Sequence, residues 1–136
     1  MLQIIKNQDN FETKIDWLTS YHHFSFGEHF HPDKNNFGPL RVFNDDLIKA
    51  GKGFDFHQHR DMEIVTYVTE GILEHKDNFG NNGIIETGEV QRMSAGTGVF
   101  HSEYNHSNQN PLKLLQIWIF PNKKGLKPSW QERKFT

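Results

Sequence analysis

Gly53-Phe54-Asp55-Phe56-His57-Gln58-His59 reads as a β-strand: it shows no helical period, and glycine and aromatic residues lead into a His-x-His. On a strand, side chains i and i+2 share a face, so His57 and His59 point the same way and can ligate one ion. Working outward, stretches of similar texture occur at Leu40–Phe43, Glu63–Thr69, Ile72–Lys76, Gly83–Glu86, Val90–Ser94, Val99–Glu103 and Leu112–Phe120. Turn signals separate them, at Asn44-Asp45-Asp46, Glu70-Gly71, the Asp77–Gly83 stretch, Thr87-Gly88 and Ala95-Gly96-Thr97-Gly98. Around eight short strands with close turns predict an all-β fold, a β-sandwich or jelly-roll barrel. No helix longer than a turn or two is expected.

The flanks are less regular. Residues 1–39 carry Phe11, Trp17, Tyr21, Phe24, Phe26, Phe30 and Phe37, enough aromatic surface to cover one end of a barrel. Pro121 is expected to end the last good strand. Lys123-Lys124-Gly125-Leu126-Lys127-Pro128 then reads as an exposed exit, and Trp130 and Phe135 on the charged end are expected to pack on this domain or on a partner. The chain has 136 residues, which is one domain by default. It divides into strands and loops at about 1–39, a barrel at 40–120 and a tail at 121–136.

Composition removes several classes. Net charge is −2, too little basic field for a general nucleic-acid binder. There is no Cys, so disulfides, thiolate metal sites and a Cys nucleophile are excluded. No run is long enough for a membrane-spanning helix, and the start lacks the apolar stretch of a signal peptide, so the cytoplasm is the expected location. Nine His stand out. Without Cys, an imidazole-ligated metal is the first chemistry to test.

His-x-His alone is weak, since chance gives about 0.6 such pairs at this histidine content. The other pair, His29-Phe30-His31, runs into Pro32-Asp33-Lys34-Asn35-Asn36 and reads as a solvated turn. His101-Ser102-Glu103 is a second i, i+2 pair on a predicted strand, just after a tight turn. If the two strands are neighbours with inward faces aligned, His57, His59, His101 and Glu103 converge. Three nitrogens and one oxygen suit Fe, Ni, Co, Zn or Mn. Glu63 is the rival carboxylate. Strand counting from His59 puts it on the ligand face, as a further ligand, as an acceptor orienting an imidazole, or as an unrelated turn residue. His22, His23, His75 and His106 have no evident partner and read as exposed or hydrogen-bonded.

At these residues the chain resembles a cupin, and more closely a pirin. Gly51, five residues, His57-x-His59, three residues, Glu63, then seven residues to Gly71 follow the first cupin motif. Gly88, five residues, Ser94-Ala95-Gly96, four residues to His101 and three to Asn105 follow the second in its pirin form. His23-Phe24-Ser25-Phe26, Leu40–Asp46, Met62–Gly71 and Gln116-Ile117-Trp118-Ile119 are similar too. Gln58 stands where the family usually has Pro. The resemblance implies a cupin-type double-stranded β-helix in a single cupin domain. It implies metal ligation by His57, His59, His101 and Glu103, and it moves Glu63 outside the ligand set. The implied ion is Fe(II), with Zn, Ni, Co or Mn as alternatives.

The implied activity is a quercetin 2,3-dioxygenase-type ring cleavage, with a small aromatic substrate, O₂ and Glu103 as the catalytic base. The alternative is a non-catalytic metal-binding regulatory module, since a eukaryotic member of the family is a nuclear transcription cofactor. Phe56 and Phe100 are the aromatic candidates for stacking on the substrate. Pirins are about twice this length, and this chain resembles their N-terminal half. Either the chain is a single-cupin member or the downstream half is absent, and the surface that a second cupin covers is then exposed or buried in a homodimer.

Overall fold

The computed structural model describes residues 1–135. Its strands are β1 (Phe11–Lys14), β2 (Leu18–His22), β3 (Leu40–Ile48), β4 (Gly53–His59), β5 (Glu63–Glu70), β6 (Ile72–Asp77), β7 (Asn82–Glu86), β8 (Glu89–Ser94), β9 (Val99–Asn105), β10 (Leu112–Ile119) and β11 (Ser129–Lys134). They form a seven-stranded sheet, ordered β1-β2-β3-β10-β5-β8-β11, and a four-stranded sheet, ordered β4-β9-β6-β7. Every pairing is antiparallel. Among the described residues the only helical element is a single 3₁₀ turn at Asn7–Asp9, and no helix is long and apolar enough to cross a membrane.

The core lies between the sheets. Leu18, Ile48, Val68, Leu112 and Leu114 from the large sheet meet Leu73 and Ile85 from the small one. Each such aliphatic side chain taken from water contributes on the order of 2 kcal/mol. A second cluster, Ile64, Met93, Ala95 and Val99, continues the core toward the Gly96 turn. The jelly-roll expectation therefore holds.

Two expectations change. Asn44-Asp45-Asp46 is the middle of β3, not a turn. Its polar residues tolerate a strand because Asn44 and Asp46 alternate inward and find partners there: Asn44 Oδ1 lies 2.9 Å from His22 Nδ1, and Asp46 accepts from the Ser20 hydroxyl. The tail also does not simply exit after Pro121. Leu126 lies against the Gly96 turn, its carbonyl accepting from Thr97 N–H at 3.0 Å. Gly96 sits at φ +51°, and a Cβ there would strike that carbonyl. β11 then pairs with β8 along Glu89–Ser94. Trp130 packs on both core clusters, whereas Phe135 stays 63% exposed.

Candidate metal centre

β4 lies at the edge of the small sheet, paired with β9 in a register that sets His57 opposite His101 and His59 opposite Val99. The register shifts between Phe54 and His57, so Asp55 and Phe56 together oppose Ser102, a β-bulge. The extra residue reverses side-chain parity and brings Phe54 onto the face of His57 and His59. All three line one cavity.

The imidazoles of His57, His59 and His101 come together, with ligand atoms all within 4.8 Å of one another. Two nitrogens about 2.1 Å from one ion lie at most about 4.2 Å apart, so little closing is needed. Their hydrogen bonds leave the right nitrogens free. His57 Nδ1 lies 2.6 Å from the Asp55 carbonyl. A carbonyl only accepts, so Nδ1 carries the proton and Nε2 keeps a lone pair. His75 Nε2 faces the Asp77 carboxylate at 3.4 Å, and His75 Nδ1 faces His101 Nδ1 at 3.4 Å. By the same logic, protons sit on His75 Nε2 and His101 Nδ1. His101 Nε2 is then an unprotonated nitrogen, and it is buried without a partner. An orphaned lone pair beside two more imidazoles fits a divalent ion.

Glu103 follows His101 on the same face of β9 and is buried. Its Oε1 is 3.7 Å from His101 Nε2. Gln116 Nε2 donates to Oε1 at 3.1 Å, and Gln91 Nε2 donates to Oε2 at 2.8 Å. Burial, with Asp46 nearby, pushes this carboxyl up to about 7 against those two bonds. A divalent cation would reverse the preference and favour the carboxylate.

A brace from β11 reaches both β9 residues. The Trp130 indole stacks on His75 with centroids 4.9 Å apart and planes at 7°. Its Nε1–H donates to Gln91 Oε1 at 3.0 Å, and Gln91 in turn holds Glu103. Gly83 makes this possible: a Cβ there would collide with the indole. His75 and Gln91 carry no ligand spacing; Trp130 was expected to pack on this domain, but nothing in the sequence tied it to them.

The remaining expectations sort plainly. Glu63 accepts from the Ser94 hydroxyl at 2.6 Å and is not part of the imidazole group. His31 is exposed, in keeping with a turn, while His29 Nε2 lies 3.0 Å from Thr13 Oγ1. Phe56 and Phe100 are 54% and 46% exposed and line no part of the cavity, because each adjoins a histidine of the group and strand alternation turns it outward. Phe54, from the bulged strand, joins Leu18, Phe26 and Trp118 as apolar wall instead. The cavity holds about 250 Å³ and is completed by Ser20, His22, Asn44 and Asp46 from β2 and β3. A polar alternation, Ser20-x-His22 and Asn44-x-Asp46, was the available signal for that wall.

Burial also sets a pH dependence. It pushes His59 down to about 4 and His101 down to about 2, each reinforced by neighbouring imidazoles, and it lowers His22 and His75. Unfolded histidines take up protons near pH 6.5. Below that, the unfolded chain binds protons that the folded chain refuses, so stability falls with pH. Burial holds Glu103 and Asp46 up at about 7, which acts oppositely as pH rises from their unfolded values. Burial lowers His23 as well, so five imidazoles act in this direction against two carboxyls. The metal-free protein should show a lower urea midpoint at about pH 5 than at about pH 6.5; an equal or higher midpoint at the lower pH contradicts this balance.

The Pirin family model matches residues 4–119. A protein of Zymomonas mobilis, whose name assigns it quercetin 2,3-dioxygenase activity only provisionally, is 56% identical over 119 residues, covering 88% of this chain and 50% of its own. The Escherichia coli K12 protein named quercetin 2,3-dioxygenase is 47% identical over 135 residues, covering 99% of this chain and 58% of its own. The crystal structure of the bacterial pirin YhhW from Escherichia coli in complex with nickel(II) matches with a TM-score of 0.93 at 48% identity, over 96% of this chain and 57% of that one. The chain thus spans about half the length of these relatives.

Proposed function

The chain belongs to the pirin family, and on that premise we propose that it is a metal-dependent dioxygenase of quercetin-like flavonols. His57, His59, His101 and Glu103 would hold one divalent ion, with Fe(II) as the native metal. The observation that carries the reading is the buried, unpartnered Nε2 of His101 beside His57 and His59, which line a partly open cavity. The bound ion would supply Lewis acidity and a template for the substrate's hydroxyl and carbonyl oxygens and for O₂.

The protein's own groups do the rest. Phe26, Phe54, Leu18 and Trp118 wall the cavity and exclude water from a flat ring. Its volume of about 250 Å³ is small, which suits one planar system with little solvent. Glu103 is the general base that takes the flavonol hydroxyl proton, acting as the carboxylate that a bound cation favours. Gln91 and Gln116 hold its two oxygens in place while it does so. The reading includes a cytoplasmic location and pairing with a second copy of the chain.

The test is aerobic turnover of quercetin by the Fe(II)-loaded protein, read as carbon monoxide release and loss of flavonol absorbance. Glu103→Gln should lower turnover by about 100-fold or more while reducing metal content far less. Unchanged turnover in that variant removes Glu103 as base. No turnover by the parent protein with any first-row metal would instead support a non-catalytic metal-binding module.

A further inference from the structure

Asp46 is 3% exposed yet lines the cavity, on β3, in the sheet facing β4. One carboxylate oxygen, Oδ1, accepts from the buried Ser20 hydroxyl. Among the described residues nothing donates to the other, Oδ2. Oδ2 is not one of the fully buried atoms that lack a partner, so it opens on the cavity, where a ligand hydroxyl can reach it. Asp46 belongs neither to the imidazole group nor to the bonds that hold Glu103. His22, a polar neighbour on the wall, is different. Both ring nitrogens of His22 are engaged, Nδ1 with Asn44 Oδ1 at 2.9 Å and Nε2 with Thr13 Oγ1 at 2.8 Å. Among the described residues Asn44 engages only its Oδ1, so the free capacity on this wall is Asp46 Oδ2, an acceptor, and Asn44 Nδ2, a donor.

We infer that Asp46, oriented by Ser20, is a positioning subsite for a second hydroxyl of the substrate, so that a flavonol lacking that hydroxyl binds more weakly. This rests on the proposed function and deepens it. A ligand satisfying the cavity brings a flat apolar body for Leu18, Phe26, Phe54 and Trp118. It brings one polar edge to His57, His59 and Glu103, and a separate hydroxyl to Asp46. Burial pushes the Asp46 carboxyl up to about 7. Near neutral pH it can then either accept from a hydroxyl or donate to one. A site built to bond a hydroxyl discriminates strongly against the analogue without it, because the buried partner is left unpaired.

The experiment titrates nickel(II)-loaded protein under nitrogen with quercetin and with 3-hydroxyflavone, following the flavonol absorption band. The two probes share the hydroxyl–carbonyl edge and differ in the remaining hydroxyls. The parent protein should bind quercetin about ten- to a hundredfold more tightly. In Asp46→Leu/Ser20→Ala, which removes the subsite without stranding the serine, the preference should fall to about twofold, with nickel content retained. Asp46→Asn keeps an acceptor and should keep an intermediate preference; it decides the matter if the double variant does not fold. A parent protein that does not distinguish the probes, or variants that keep its full preference, overturn the inference. Aerobic turnover is measured separately. A protein that discriminates but does not turn over keeps the subsite and loses the dioxygenase reading, and the converse result does the opposite.

Discussion

His101→Ala should leave the purified protein unable to retain a divalent ion. His101 is fully buried, and its Nε2 is the ligand atom that no protein group satisfies. Without it, His57 and His59 remain on an edge strand with no third imidazole to close the group. Loss of a group that merely supports a ligand costs about 10- to 100-fold in affinity, and loss of a ligand itself costs more. After loading with nickel(II) and desalting, metal content should fall below about a tenth of the parent's. His106→Ala is the matched control. That imidazole is exposed, lies 3.4 Å from Glu74 and is outside the group, so metal content should not change. Equal retention by His101→Ala and the parent would place the ion elsewhere.

Trp130→Ala has the second large expected effect, and it acts on stability and site together. The indole packs on both core clusters and fills the space over Gly83. Tryptophan-to-alanine changes in cores cost about 3–5 kcal/mol, and a half-buried indole belongs at the lower end. That lowers the melting temperature by roughly 10 °C for a chain of this size. The same change removes the stack that holds His75 against His101 and the donor that fixes Gln91 against Glu103. Nickel affinity should fall about 10-fold or more. Trp130→Phe separates the two roles. It keeps an aromatic face on His75 but loses the Nε1–H, so it should retain most of the melting temperature while weakening nickel binding. Nickel affinity equal to the parent's in both variants would reduce β11 to a packing element.

Strand parity is why so much of the centre was legible from linear spacing. Alternation forces His57 and His59 onto one face of β4, and His101 and Glu103 onto one face of β9, whatever the rest of the chain does. The cavity wall was less legible. Asn44-Asp45-Asp46 has turn composition, and a local rule cannot know that Ser20 and His22 wait on the neighbouring strand to satisfy Asp46 and Asn44. Phe54, which lines the cavity where Phe56 was expected, escaped notice for a related reason. A bulge at Asp55–Phe56 shifts parity by one, and it is visible only once β9 is in place beside β4.

Residue order alone therefore settled the all-β class and the two strand faces that carry His57 with His59 and His101 with Glu103, because both depend on the two-residue period of an extended chain. Folding in three dimensions settled how those faces meet. His57 opposes His101 through a register set by long-range pairing, and Trp130 reaches Gln91 across 39 residues of sequence. Such contacts follow from which surfaces bury together between two sheets, and no local pattern encodes that choice.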